Sequence, residues 1–285
     1  MKTVEIGAGN RVDGAGCILY GPKPMELKPI RAVALQAATQ AGDVLRSHFG
    51  NLTDIRKKGV IDLVTEADLA SEWEIISTIR EAYPDHGILA EESGEVGSSS
   101  SARWIIDPLD GTTNFAHGLG IFSVSIAFAL EGELQVGVVY NPVSGELFEA
   151  EAGSGAFLNG RRIAVSRHDR LEESLLVTGS PYCLRETLSP LVDRFSLVLA
   201  KAQGVRRLGS AALDLCFVAC GRFDGFWEEH LKPWDTAAGT LILREAGGIV
   251  TDFSNSPFEV RMQEILATNG KIHAETLGLL ASDRD

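Results

Sequence analysis

Cysteine is scarce in this chain: four among 285 residues, at positions 17, 183, 216 and 220, with no C-x-x-C spacing. That excludes a zinc-ribbon signature and a disulfide framework, and it fits a reducing, cytoplasmic compartment. Cys216 and Cys220 are four apart, so they share a helix face and read as small core residues. Basic charge is also short. Twenty-six Lys and Arg face 39 Asp and Glu, for a net charge of −13. Such a chain is poorly suited to bind nucleic acid, which needs basic surface against phosphate. No apolar run reaches the roughly 18 residues of a membrane span. The first 24 residues hold no secretory hydrophobic stretch, because GAGNRVDGAG interrupts them. They read as a flexible extension. The six histidines are scattered, and no two have a metal-ligand spacing.

What the chain does have is ordinary for a globular protein: 45% hydrophobic and 23% charged residues. Thirty glycines point to many tight turns. Apolar residues recur at helical spacing over 27–48, ended by Gly50, and over 68–83, ended by Pro84. Short strand-like runs follow: GILA, RWIID, VSIAFAL, LQVGVVY, ELFEAE and GAFLNG. Gly, Asn-Pro and Asn-Gly turns join them, which predicts an antiparallel meander. From about 170, strands alternate with helices at 188–202, 210–221 and 233–248, which predicts a sheet with crossover helices. The division expected is an extension over 1–24, an α+β half over 25–165 carrying the main site, and an α/β half over 166–285 completing it.

Five acidic residues stand at strand or helix ends instead of on solvated faces: Asp68, Glu91, Asp107, Asp110 and Asp235. In WIIDPLDGTTNF, Asp107 ends an apolar strand, Pro108 forces a bend, and Asp110 returns a second carboxylate before Gly111, Thr112 and Thr113. Carboxylates beside free backbone N–H groups suit a cation-bound phosphate. Taken alone, Asp-Pro-Leu-Asp-Gly also reads as a plain turn. Phosphatases with an aspartyl nucleophile place two Asp two apart on one strand face; here the two are three apart, with proline between them, which suits a cation better. Glu91 ends GILAEES, Asp235 follows Trp234 at a helix start, and Asp68 lies in a first helical turn where a cap acid is equally expected.

With GILAEES, WIIDPLDGTTNF and KPWDTAAGTLILREAGG in that order, IDLVTEAD upstream, and GAFLNG and RRLGSAALDLC between, the chain resembles the inositol monophosphatase family over about residues 27–280. These are Mg²⁺-dependent, lithium-sensitive phosphatases. The resemblance implies a mixed α/β (α+β) fold, a layered α-β-α-β-α sandwich of the inositol monophosphatase and fructose-1,6-bisphosphatase type. It implies two or three Mg²⁺ ions. Glu91, Asp107 and the Leu109 carbonyl would hold one; Asp107, Asp110 and Asp235 a second; a third, weaker ion would sit near Glu91 through water. Thr112 and Glu91 would orient the attacking water, with Asp68 accepting the Thr112 hydroxyl proton. Gly111 and Thr112 N–H groups would hold phosphate. Asp110, Gly209, Ser210, Ala211, Glu228 and Asp235 would contact the rest of the substrate. The expected substrate is inositol monophosphate, with histidinol phosphate and fructose 1,6-bisphosphate as alternatives. A regulatory binding protein on the same fold is the reading from another class. The family also implies a homodimer; cysteine usage, charge and the lack of a long apolar run are what predict a cytoplasmic protein with no membrane or nucleic-acid partner.

Overall fold

The computed structural model describes residues 26–51, 64–97, 100–180 and 188–281, with backbone alone at 4–5, 11–12, 18–19, 55–57, 63 and 184–187. Three two-residue strands, β1 (Val4–Glu5), β2 (Arg11–Val12) and β3 (Ile18–Leu19), pair antiparallel. The rest of the expected flexible extension lies outside the described residues, as do Cys17 and Cys183.

Helix α1 (Leu27–His48) buries Ile30, Ala34, Ala37, Ala38, Ala41 and Leu45, the apolar stripe its spacing predicted. A short ribbon, β4 (Ile55–Lys57) and β5 (Leu63–Thr65), leads into α2 (Glu66–Ala82). Both helices lie on one face of an eight-stranded sheet. Its strands are β6 (Gly87–Ala90), β7 (Gly94–Val96), β8 (Ala102–Asp110), β9 (Ser123–Leu130), β10 (Glu133–Asn141), β11 (Glu146–Glu151), β12 (Gly155–Leu158) and β13 (Arg161–Arg162). From β8 to β13 they form the predicted meander; β6 joins β8 in parallel. A single turn, α3 (Thr112–Ala116), follows β8.

The second sheet has five strands in the order β15-β14-β16-β18-β17. These are β14 (Leu175–Thr178), β15 (Gly204–Arg206), β16 (Gly225–Glu229), β17 (Ile249–Thr251) and β18 (Glu264–Thr268). β14 runs parallel to both β15 and β16, as crossover helices require. Helices α5 (Ala211–Ala219) and α6 (Pro233–Glu245) fill the space between the sheets, packed on β9 and β10 on one side and on β16 to β18 on the other. Helices α4 (Leu184–Leu199) and α7 (His273–Leu280) cover the outer face. The layers are therefore α-β-α-β-α, as expected. One continuous core joins Ile105, Val139 and Phe148 of the first sheet to Leu215, Ile242 and Phe226.

Two local expectations change. The strand containing Asp107 does not stop there but runs to Asp110, and the bend at Pro108 takes the form of a bulge. Asp107 pairs with Ser125 and Asp110 with Ser123, so β8 carries one extra residue. Helix α4 begins four residues earlier than its apolar spacing predicts and holds Pro190 inside it.

Candidate active site

The bulge in β8 presents Asp107 and Asp110 at the inner end of the strand. Asp107 is 2% exposed, and the Leu109 N–H donates to it at 2.9 Å. The next residue after the strand, Gly111, has φ +102°, a left-handed conformation that favours glycine. A Cβ there would lie 3.1 Å from the Gly209 carbonyl and 3.0 Å from that of Ile121. Gly111 is thus required by both conformation and close approach. Thr112 then opens α3, and its hydroxyl lies 3.1 Å from Asp68 Oδ1 and 3.1 Å from the Leu109 carbonyl.

Asp68 is the third residue of α2. It accepts from the Thr65 N–H at 2.8 Å and the Thr65 hydroxyl at 2.6 Å, closing a capping box. The plain cap reading holds, and the same side chain also reaches Thr112: Oδ2 caps the helix while Oδ1 accepts from the Thr112 hydroxyl. Glu91 follows β6, held in line by its N–H on the Ile106 carbonyl at 3.2 Å. Asp235 is the third residue of α6, where Oδ2 accepts from the Lys232 N–H at 2.7 Å.

The second half grips the first through Asp110. Ser210 caps α5, and its hydroxyl donates to Asp110 Oδ2 at 2.6 Å; the Ala212 N–H donates to the same oxygen at 2.8 Å. Gly209 and Ser210 are thus brought to the site, with Ser210 engaged through its side chain. Ala211 opens the helix between them. Glu228 on β16 is partly open to solvent and close enough to Asp110 and Asp235 to feel their charge.

Sequence reading missed several residues that hold this arrangement. The Ser71 hydroxyl donates to the Pro108 carbonyl at 2.8 Å. Buried Glu72 accepts from the Glu92 N–H at 2.9 Å. Asn114 donates to the Leu208 carbonyl at 2.8 Å and to that of Ile121 at 2.7 Å. Asp214 on α5 is 1% exposed, and neither carboxyl oxygen has a hydrogen-bond partner. Only Asp214 carried a local hint, as an acid in an otherwise apolar helix.

The electrostatics are those of crowded acids. Burial pushes the Asp107 carboxyl well above its ordinary range, and the charges of Glu91, Asp110 and Asp235 push further. Burial also raises Asp110, to about 6, although Ser210 and Ala212 oppose it. Asp235 is raised by burial and then by Asp110 and Glu91. Glu228 is pushed up to about 8 by burial, Asp235 and Asp110, against Arg207. Asp68 and Asp214 are likewise raised, chiefly by burial. Among the described residues, no three acidic, His or Cys side chains are gathered tightly enough to enclose a cation as they stand. The donor set still fits a hard divalent cation. Asp107 has one protein donor and three acidic neighbours, and the oxygens of Glu91, Asp110, Asp235 and the Leu109 carbonyl are of the type Mg²⁺ takes.

Comparison with known proteins gives this geometry a context. The model of the inositol monophosphatase family matches residues 26–284. An inositol-1-monophosphatase from Synechocystis is 48% identical over 261 residues, 91% of this chain and 91% of that one. A protein named Nus factor SuhB from Haemophilus influenzae is 44% identical, over 88% of this chain and 95% of its own. The solved inositol monophosphatase of Anabaena superposes with a TM-score of 0.83 at 45% identity, covering 90% of this chain and 97% of that chain.

Proposed function

The chain belongs to the inositol monophosphatase family, and on that premise we propose that it hydrolyses a phosphate monoester in a Mg²⁺-dependent reaction, with inositol monophosphate preferred. The single observation that carries this reading is the convergence of Asp107, Asp110 and Asp235, raised by burial and by neighbouring acidic charge, beside the Thr112–Asp68 hydrogen bond.

Glu91, Asp107, Asp110, Asp235 and the Leu109 carbonyl would hold the Mg²⁺. Bound there, the metal supplies positive charge that makes water more acidic and offsets the charge of the phosphate. The chain's own residues do the rest. Thr112 gives its hydroxyl proton to Asp68 as a hydrogen bond, which leaves its oxygen lone pairs to accept from the attacking water. Glu91 accepts the water's other proton. The N–H groups of Gly111 and Thr112 hold phosphate oxygens as charge builds. The water oxygen bonds to phosphorus and keeps one proton on the phosphate, the bond to the alcohol oxygen breaks, and the alcohol oxygen takes up the proton that the water released, so that monoester and water give alcohol and hydrogen phosphate. Glu228 accepts hydrogen bonds from the alcohol's other hydroxyls, beside Gly209, Ser210 and Ala211. With Mg²⁺ held by Asp110 and Asp235, their repulsion of Glu228 would give way to attraction and keep it a charged acceptor, which favours a cyclitol or sugar phosphate.

The test separates recognition from chemistry. Glu228→Gln should lower kcat/KM for inositol 1-phosphate by about tenfold to 150-fold, the worth of a hydrogen bond to a charged group. An aryl phosphate, which lacks those hydroxyls, should lose much less. Asp235→Asn should cripple both. Equal losses for the two substrates in Glu228→Gln would sink the substrate assignment.

A homodimer is part of the reading. Leu188, Val192, Phe195 and Leu199 are exposed along α4. Their 4-3-4 spacing is the same in both directions, so a two-fold antiparallel copy would set Leu188 on Leu199 and Val192 on Phe195. Sedimentation of Val192→Glu against wild type tests it. The name of the Haemophilus relative, Nus factor, favours a second reading, a regulatory protein acting through partners. No phosphate release with Mg²⁺ across a substrate panel would select that reading.

A further inference from the structure

Among the described glycines, fourteen have positive φ and Gly137 has backbone pressed against it; at Gly179 neither holds, and the atoms against it belong to a single carboxyl group. Gly179 sits immediately after β14. β14 runs beside β16 with Thr178 opposite Trp227, so Gly179 comes level with Glu228. The Thr178 hydroxyl fastens that register, donating to the Trp227 carbonyl at 2.7 Å. A Cβ built on Gly179 would stand 2.0 Å from Glu228 Oε2, 2.2 Å from Oε1 and 2.2 Å from Cδ. Those three atoms are the whole carboxyl group, lying against bare backbone. At Gly137 the obstacle is the Ala238 backbone, carbonyl oxygen at 2.8 Å, which cannot give way. At Gly179 the obstacle is the far end of one flexible side chain. A methyl group here would leave the strands paired and evict the carboxylate.

We propose that Gly179 is a specificity-determining position: the absence of a side chain there holds the Glu228 carboxyl in the posture from which it meets the hydroxyls of the substrate alcohol. Gly179 touches neither the reacting phosphorus nor the metal ligands. It is a positioning residue that acts through Glu228, and the inference rests on the reading of Glu228 given above. A larger residue at 179 would make a less discriminating phosphatase, one that still hydrolyses simple phosphate esters.

The experiment is a double-mutant cycle on the full chain with Mg²⁺: wild type, Gly179→Ala, Glu228→Ala and the double variant, each assayed with inositol 1-phosphate and p-nitrophenyl phosphate. Gly179→Ala should lose about tenfold or more in kcat/KM for inositol 1-phosphate while its rate on p-nitrophenyl phosphate stays within about twofold. In the Glu228→Ala background the same methyl group meets no carboxyl. The double variant should therefore match Glu228→Ala alone, whereas a merely structural role would give additive losses. Gly179→Ala should also melt close to wild type, and early melting contradicts the geometry. If Glu228→Ala is selective and Gly179→Ala is not, or if the losses add, the Gly179 inference falls alone. An unselective Glu228→Ala brings down the reading of Glu228 and this inference with it.

Discussion

Two buried carboxylate clusters in this chain are built to opposite designs. Asp224, immediately before β16 of the second sheet, is 3% exposed and fully met by protein donors. It accepts from Ser166, from His168 Nδ1 at 2.9 Å and from the Leu175 N–H at 2.8 Å. Asn269 closes the network by donating to Ser166 and to the His168 carbonyl, each at 2.8 Å. Asp107 is buried as deeply but has one donor and three like charges around it. The fold satisfies Asp224, whereas it leaves Asp107 short of donors, which suits the cation proposed for it.

The sharpest way to break this contrast is Asp107→Asn. It keeps an acceptor for the Leu109 N–H but removes the charge. Turnover at saturating Mg²⁺ should fall by about 10²–10³-fold or more, the scale of losing a group that stabilises transition-state charge. Stability without metal should hold or rise. A near-wild-type rate refutes the ligand assignment. Asp224→Asn should do the reverse, costing about 1–3 kcal/mol in chemical denaturation because a buried donor loses its acceptor. kcat per folded molecule should stay unchanged. If kcat falls with it, the two clusters are not independent.

Metal and pH offer a finer test. An acid whose pKa is higher in the folded state binds more protons folded, so stability falls as pH rises from its unfolded to its folded value. For Asp110 that window runs from 3.8 to about 6, and for Glu228 from 4.5 to about 8. Mg²⁺ should therefore raise the melting midpoint by a few degrees, roughly, and most at the alkaline end. Taking the difference with and without Mg²⁺ cancels the opposite trend of half-buried His86 and buried His273, whose pKa values desolvation lowers. A difference that shrinks with rising pH would count against a cation on these carboxylates. The smallest effect expected is that of His168→Ala. Its side chain is 56% exposed, and removing one of three donors to Asp224 should cost about 0.2–1 kcal/mol. A larger loss would make the imidazole, not the Leu175 N–H and Ser166, the main support of Asp224.

How much of this was legible in the sequence follows physical range. Asp107, Asp110 and Gly111 announce themselves because strand, proline, acid and glycine stand in one short run. Ser210 reads as a cap because caps are local, and it is one, with Leu213 N–H on its hydroxyl at 3.3 Å. Ser71, Glu72 and Asn114 were illegible because their partners lie 37, 20 and 94 residues away. The strand β18 and helix α7 were missed for a related reason. A five-residue apolar run without a turn signature declares itself only when β16 and β17 flank it. At α4 a proline that should mark a helix start lies inside the helix, in a segment where packing on α7 decides the ends.

The hydrogen bond from Ser210 to Asp110 spans 100 residues of chain. On a ribosome adding about 5–20 residues each second, roughly 5–20 s separate the appearance of the two. During that interval the first sheet can pair, since its meander joins neighbours, but Asp110 has no partner from α5, and Asp235 does not yet exist. The newborn first half carries bare, hydrated carboxylates and no enclosed site. On the proposed reading, metal capture would wait for the final docking of the two sheets, so a truncated or stalled chain could carry several of the acids and still have no complete site.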